Sequence, residues 1–292
     1  MKRRDFFQQT AVAGTVIAMD PKSLFLLKPK HIGVQLWSVR DVVEKNTPRT
    51  LELIGKMGYA EVEGYKYENG LFFNFSPADF KKQLSDTGLK MTSAHTGINM
   101  KHWDYKSKKI SDLAKKTIED HAAVGVEQLI VPSIDKELRN QDSIQTLAEI
   151  FNHVGEACKS SGIQFGYHNH DYEFYPIDGR YMIDLVLGQT DPALVVWEMD
   201  LYWVSYANED PARWIQQYGK RIRAFHVKDM ANTPKKETIE VGNGVMDFVS
   251  IFKDPGAAKV VYYIVELEDY KTSSMEGINI SLQGLKKILA QV

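Results

Sequence analysis

The hydrophobic pattern of this chain changes period repeatedly. Short runs rich in β-branched, aromatic and aliphatic residues predict strands: "IGVQLWS" from Ile32, "YAEVEGY" from Tyr59, "KMTSAHT" from Lys90, "EQLIVPS" from Glu127, "IQFGYHNH" from Ile163, "LVVWEMD" from Leu194, "IRAFHVKD" from Ile222 and "VVYYIVELED" from Val260. Between them the apolar positions take helical spacing: 48–57, 77–87, 107–124, 143–160, 182–188 and 211–218, a weaker piece at 247–252, and 277–290 after the last strand. In "KMGYAEVE", "DTGLKMT", "AVGVEQL" and "SSGIQF" a glycine stands just before the strand, where a left-handed residue closes the preceding helix. Eight strand–helix units with no long linker predict a closed (β/α)8 barrel of the α/β class rather than a doubly wound sheet. No G-x-G-x-x-G or P-loop is present; "VGNGV" at 241–245 has the wrong spacing and no strand-to-helix context.

Length fits one such domain, since α/β barrels run to about 250 residues. The domain is expected over 31–292. The opening "MKRRDFFQQTAVAGTVIA" lies outside the pattern: a basic start at Lys2, Arg3 and Arg4 precedes a short run of apolar and small residues from Ala11 to Ala18. Residues 1–30 therefore predict an export signal of twin-arginine type with a flexible N-terminus, and a periplasmic destination. No later apolar stretch is long enough to span a membrane. A net charge of -2, from 36 Lys and Arg against 38 Asp and Glu, leaves no positive surplus for nucleic acid. Cys158 is the single cysteine, which excludes an internal disulfide, a cysteine-based zinc site and an iron–sulfur cluster.

In a barrel of this kind chemistry collects at the C-terminal ends of the strands. Ionisable residues accumulate there: His95 on the third strand, His168 and His170 on the fifth, Glu198 and Asp200 on the sixth, His226 and Lys228 on the seventh, Glu266 and Glu268 on the eighth. A lone core histidine is usually a packing residue. Four successive strands each ending in a metal-competent side chain favour one divalent-cation site instead. Ligands of the types His, Asp, His and Glu make a mixed nitrogen and oxygen set, suited to Mn²⁺, Co²⁺, Fe²⁺ or Zn²⁺, with Mg²⁺ disfavoured by its preference for oxygen.

The motifs "GVQLWSVRD", "SAHT", "GYHNHDYEF", "WEMDLYW", "AFHVKD" and "VELED", in this order, resemble the xylose isomerase-like TIM barrel superfamily, with its sugar isomerases, ketose 3-epimerases and inosose dehydratases. The resemblance covers nearly everything after residue 30. It implies metal ligands at the ends of strands five to eight, carried over here onto Asp200, His226 and Glu266. At the strand-five position the epimerases place a glutamate that serves as a second base; this chain has His168, read as the fourth ligand. A histidine giving its lone pair to a metal cannot also take a proton. His170, farther along the same face, is expected to reach substrate.

The chemistry expected is removal of a proton next to a polarised carbonyl, with Glu266 or a neighbouring carboxylate as base and Lys228 or His170 as acid. Trp37, His95, Glu173, Trp203 and Glu268 are the expected substrate contacts. With a single clear carboxylate at the site, loss or addition of water is easier to write than epimerisation. A lyase or hydratase acting on an unphosphorylated keto-sugar or keto-cyclitol, such as a 3-keto sugar, is the leading expectation. Isomerase or epimerase chemistry through an enediolate, with Lys228, His170 or Glu173 as replacement base, is the alternative. A third reading is a non-catalytic exported sugar-binding protein using Trp37, Trp103, Tyr202 and Trp203 as stacking faces. Barrels of the family it resembles often form dimers or tetramers, which implies a homo-oligomer as an expectation here. The loop "MANTPKKETIEVGNGVMD" is read as either a lid or an inert excursion.

Overall fold

A computed structural model describes residues 30–292, so the predicted export signal lies outside the described residues. Eight strands close a parallel barrel: β1 (His31–Gln35), β2 (Glu61–Gly64), β3 (Lys90–His95), β4 (Gln128–Val131), β5 (Gln164–His168), β6 (Val195–Asp200), β7 (Ile222–Val227) and β8 (Tyr262–Val265). Each pairs with its sequence neighbours, and β8 pairs with β1 to complete the ring. The (β/α)8 expectation is met.

The outer layer comprises α1 (Thr47–Met57), α2 (Pro77–Asp86), α3 (Asp112–Val124), α4 (Gln141–Ser160), α5 (Met182–Gln189), α6 (Pro211–Tyr218), α7 (Phe248–Lys253) and α8 (Ser274–Leu289). Local chemistry fixes their starts. Asn46, Ser76, Ser111, Asn140, Asp210, Asp247 and Ser273 each accept a backbone N–H of the first turn, a cap that contributes roughly 0.5–2 kcal/mol. Gly58, Gly88, Gly125 and Gly162 all take the left-handed backbone that their position at helix ends requires. Apolar helix faces pack on the barrel's outer wall, where Phe151 of α4 meets Phe165 of β5 and Phe252 of α7 meets Phe225 of β7.

α3 begins at Asp112 rather than Ser107, because Trp103–Asp104 and Lys109–Ile110 pair as a small hairpin before it. Similar two-residue ladders, 67–68 with 71–72, 176–177 with 180–181 and 229–230 with 238–239, decorate other loops at the C-terminal ends of the strands. They are too short to leave a periodic signature.

Candidate metal centre and cavity

Along β5 to β8, alternate residues point into the barrel, so each strand places its last inward side chain near the axis. His168, Asp200, His226 and Glu266 are brought together there, all buried, with one donor atom of each within 4.8 Å of the others. His168 Nε2 lies 3.2 Å from Asp200 Oδ2, and His226 Nδ1 lies 3.1 Å from Glu266 Oε2 and 3.8 Å from Asp200 Oδ2. A second set, His95, His168, Glu198 and His226, satisfies the same 4.8 Å limit, sharing two histidines with the first.

Neighbours hold these groups in place. His168 Nδ1 is 3.3 Å from the Pro132 carbonyl, an arrangement that puts the ring proton on Nδ1 and turns the Nε2 lone pair inward. Asn169 staples β5 to β6: its Oδ1 accepts from Trp197 Nε1 and from the Asp200 backbone N–H, while its Nδ2 donates to the Asp200 carbonyl. Asp200 also accepts through Oδ1 from the Trp203 N–H, capping the helix Leu201–Tyr206 and leaving Oδ2 for the cluster.

Lys228 lies against the same oxygens, 3.1 Å from Asp200 Oδ2, 2.7 Å from Glu266 Oε2 and 2.8 Å from Glu268 Oε1. Burial opposes its charge, but Asp200, Glu266 and Glu268 outweigh burial and raise its pKa well above the usual value. For Glu266, burial is likewise outweighed, by Lys228 and His226, and its pKa falls well below the usual value. Burial, reinforced by the charges of His226, His95 and Lys228, pushes His168 far down, so it presents a neutral imidazole, the form that ligates metals. The donor set therefore fits a divalent cation: two imidazoles and two carboxylates from four strands, in a pocket whose acidic side chains outnumber its one lysine.

Above this cluster opens a cavity of about 540 Å³. Trp37, His95, Trp203, Glu268, His170 and Lys228 line it. His170 lies beyond the end of β5, stacked on Tyr172 with Trp203 tilted against it, and its pKa is pushed well down, above all by burial. Its Nδ1 is buried without a partner among the described residues.

Glu173 does not join the cavity wall. It is fully buried, one oxygen accepting from the Tyr167 hydroxyl and the other from the His170 backbone N–H, so it fastens the turn that carries His170 and cannot touch substrate or serve as a base there. Burial pushes its pKa up to about 7. Trp103 packs against His153, and Tyr202 donates to the Lys236 carbonyl; neither lines the cavity.

The expectation of a single carboxylate is also corrected. Glu63 of β2 and Glu198 of β6 form a buried layer next to the ligand cluster, bound to His226 and His95. Both sit at slips in strand register, Val62/Glu63 against β3 and Trp197/Glu198 against β7, the kind of irregularity that re-aims a side chain. Glu63 was missed because "EVEG" reads as an ordinary strand; the signal available was two glutamates on the inward face of a barrel strand, where branched apolar residues are the rule.

The loop after β7 is pinned. Asp229 accepts the backbone N–H groups of Met230, Gly242, Gly244 and Met246. A Cβ on Gly244 would lie 2.2 Å from Asp229 Oδ1, so the wrap requires glycine there.

A family model described as xylose isomerase-like TIM barrel matches residues 51–288. Among curated proteins, an inosose dehydratase of Clostridium perfringens is 29% identical over 146 residues, 43% of this chain and 48% of that protein, so the match spans about half of its length. Among solved structures, a sugar phosphate isomerase/epimerase from Parabacteroides distasonis superposes with TM-score 0.77 at 29% identity, covering 95% of this chain and 98% of that one. A structure described as IOLI protein with a binding zinc atom shares the fold, with TM-score 0.71 at 15% identity over 89% of this chain and 98% of that one.

Proposed function

The chain belongs to the xylose isomerase-like TIM barrel family, and from that premise we propose that it is a divalent-metal-dependent enzyme of keto-sugars or keto-cyclitols that removes a proton next to the carbonyl, as a lyase or hydratase. The observation that carries the reading is the convergence of His168, Asp200, His226 and Glu266 at the base of a cavity walled by His170, Lys228 and Glu268. The similarity to inosose dehydratases supports dehydration over isomerisation.

His168, Asp200, His226 and Glu266 would hold the cation, which when bound supplies Lewis acidity for a substrate carbonyl. Glu266 and Glu268 line the cavity as the carboxylates able to accept the substrate proton. Lys228, with its ammonium 2.8 Å from Glu268, is placed to return a proton to a departing hydroxyl. His170, whose Nδ1 has no partner among the described residues, adds a further polar group to the lining. Trp37 and Trp203 present ring faces to a sugar. Among the described lining residues Lys228 is the one lysine or arginine, and three carboxylates engage it. Arg40 folds back on Trp37 and the Glu268 carbonyl. An unphosphorylated substrate is the consistent choice.

A second reading, isomerase or epimerase, draws on the Parabacteroides relative's description. It needs a second base in the cavity, and His170 is the imidazole available beyond the ligand cluster.

The test is incubation of chelator-stripped protein, with and without Mn²⁺ or Co²⁺, with a panel of keto-sugars and keto-cyclitols in D₂O. The reading expects metal-dependent deuterium incorporation with a mass change of one water. Deuterium incorporation without mass change selects the second reading, and ligand affinity that survives chelation with no turnover identifies a binding protein.

A further inference from the structure

We propose that Glu63 is the positioning residue that turns His226 toward the cation, acting across the barrel from β2 to β7; the inference rests on His226 being a metal ligand, as proposed above. His226 is fully buried and uses both ring nitrogens. Nδ1 faces Glu266 and Asp200, while Nε2 lies 2.6 Å from Glu63 Oε1. A neutral imidazole carries one proton, and only the other nitrogen can offer a lone pair. Each ring nitrogen faces a carboxylate, so without an ion both can carry a proton; a cation at Nδ1 would take the place of that proton, while an ionised Glu63, which accepts and never donates, keeps the Nε2 proton and holds the ring with Nδ1 toward the ligand cluster.

Glu63 is itself built into place. Gln35 Nε2 donates to Oε1 at 2.7 Å and Ser93 Oγ donates to Oε2 at 2.5 Å, so β1, β2 and β3 jointly anchor a side chain of β7. His95 Nε2 sits 3.1 Å from the same Oε1 and 2.9 Å from Glu198 Oε2, which ties the wall of the cavity to the same carboxylate pair.

A second cation held by this lower layer is the competing use of the same atoms. The hydrogen bonds argue against it: the oxygens of Glu63 already accept from Gln35, Ser93 and His226, and the Nε2 of His95 is engaged by Glu198. Glu198 Oε1 is the one buried oxygen of the pair that finds no partner among the described residues.

The test uses the full chain, stripped of metal and titrated with Zn²⁺ against a competing chromophoric chelator, with metal content counted per chain. Wild type should bind one ion. Glu63→Ala should weaken binding roughly 10- to 100-fold, and Glu63→Gln should weaken it less, because its amide oxygen can still accept from Nε2–H. In zinc-loaded protein the protected imidazole N–H proton resonance of His226 should be present in wild type and lost in Glu63→Ala, a readout that a merely structural role would not move. If Glu63→Ala does not fold, Glu63→Gln and Ser93→Ala carry the comparison, with losses of binding smaller than that of Glu63→Ala but in the same direction. Wild-type zinc affinity in the folded variants overturns the proposal. So does a wild-type stoichiometry of two ions that falls to one in Glu63→Ala, since Glu63 would then be a ligand. Undiminished zinc binding by Asp200→Ala and His226→Ala would sink the reading of the site itself, whatever the Glu63 variants do.

Discussion

Strands β5 to β8 bring His168, Asp200, His226 and Glu266 to the barrel mouth, whereas β1 to β3 bring Gln35, Glu63 and His95 to the neighbouring layer, and β4 contributes the apolar Ile130 beside Gly166. One half supplies donors with lone pairs left to give. The other supplies groups whose hydrogen bonds are spent on each other and on the first half, through Glu63 to His226 and through His95 to Glu198. The contrast teaches that a buried ligand set needs a counterpart: each imidazole must have its second nitrogen satisfied before the first can be aimed.

The sharpest break in this division is Asp200→Ala. Removing a donor from the β5–β8 half should abolish stable metal retention on dialysis and lower turnover by at least about 100-fold, checked by metal analysis and the D₂O assay. Next in size, Lys228→Met should reduce turnover about 100-fold while metal affinity does not fall, since the lysine shares the carboxylates but donates to substrate. Metal loss in that variant would move Lys228 among the groups that hold the site together.

A smaller effect concerns the turn fastened by Glu173. Its folded pKa of about 7 exceeds the ordinary 4.5 because of burial, so between those values the folded chain keeps a proton that the unfolded chain has released. Its contribution to stability is complete below pH 4.5 and is lost as pH rises through 7. Urea midpoints across that range should decline less in Glu173→Gln than in wild type, and parallel curves would show that the carboxyl is ionised throughout. Smallest of all, Trp37→Ala on the β1 side should raise KM by roughly 3- to 10-fold with kcat little changed, the size of an aromatic contact of about 0.5–1.5 kcal/mol. A fall in kcat instead would give that half a share in the chemistry.

The barrel was legible in the sequence because strand and helix periods are local: alternation, capping side chains and the glycines that close four of the helices are written within a few residues of one another. The positions of His168, Asp200, His226 and Glu266 followed, since a strand's last inward residue is fixed by its pleat. Glu173 misled for a physical reason: three residues after His170, it turns inward to Tyr167, and nothing local announces that a carboxylate will be buried. The partnership of Glu63 with His226 spans 163 residues, that of Glu63 with Gln35 spans 28, and both exist only once the ring closes. The sequence by itself determined which side chains reach the axis of the barrel. Only the tertiary structure decided which of them keep a free lone pair, because hydrogen-bond satisfaction is settled between strands and not along them.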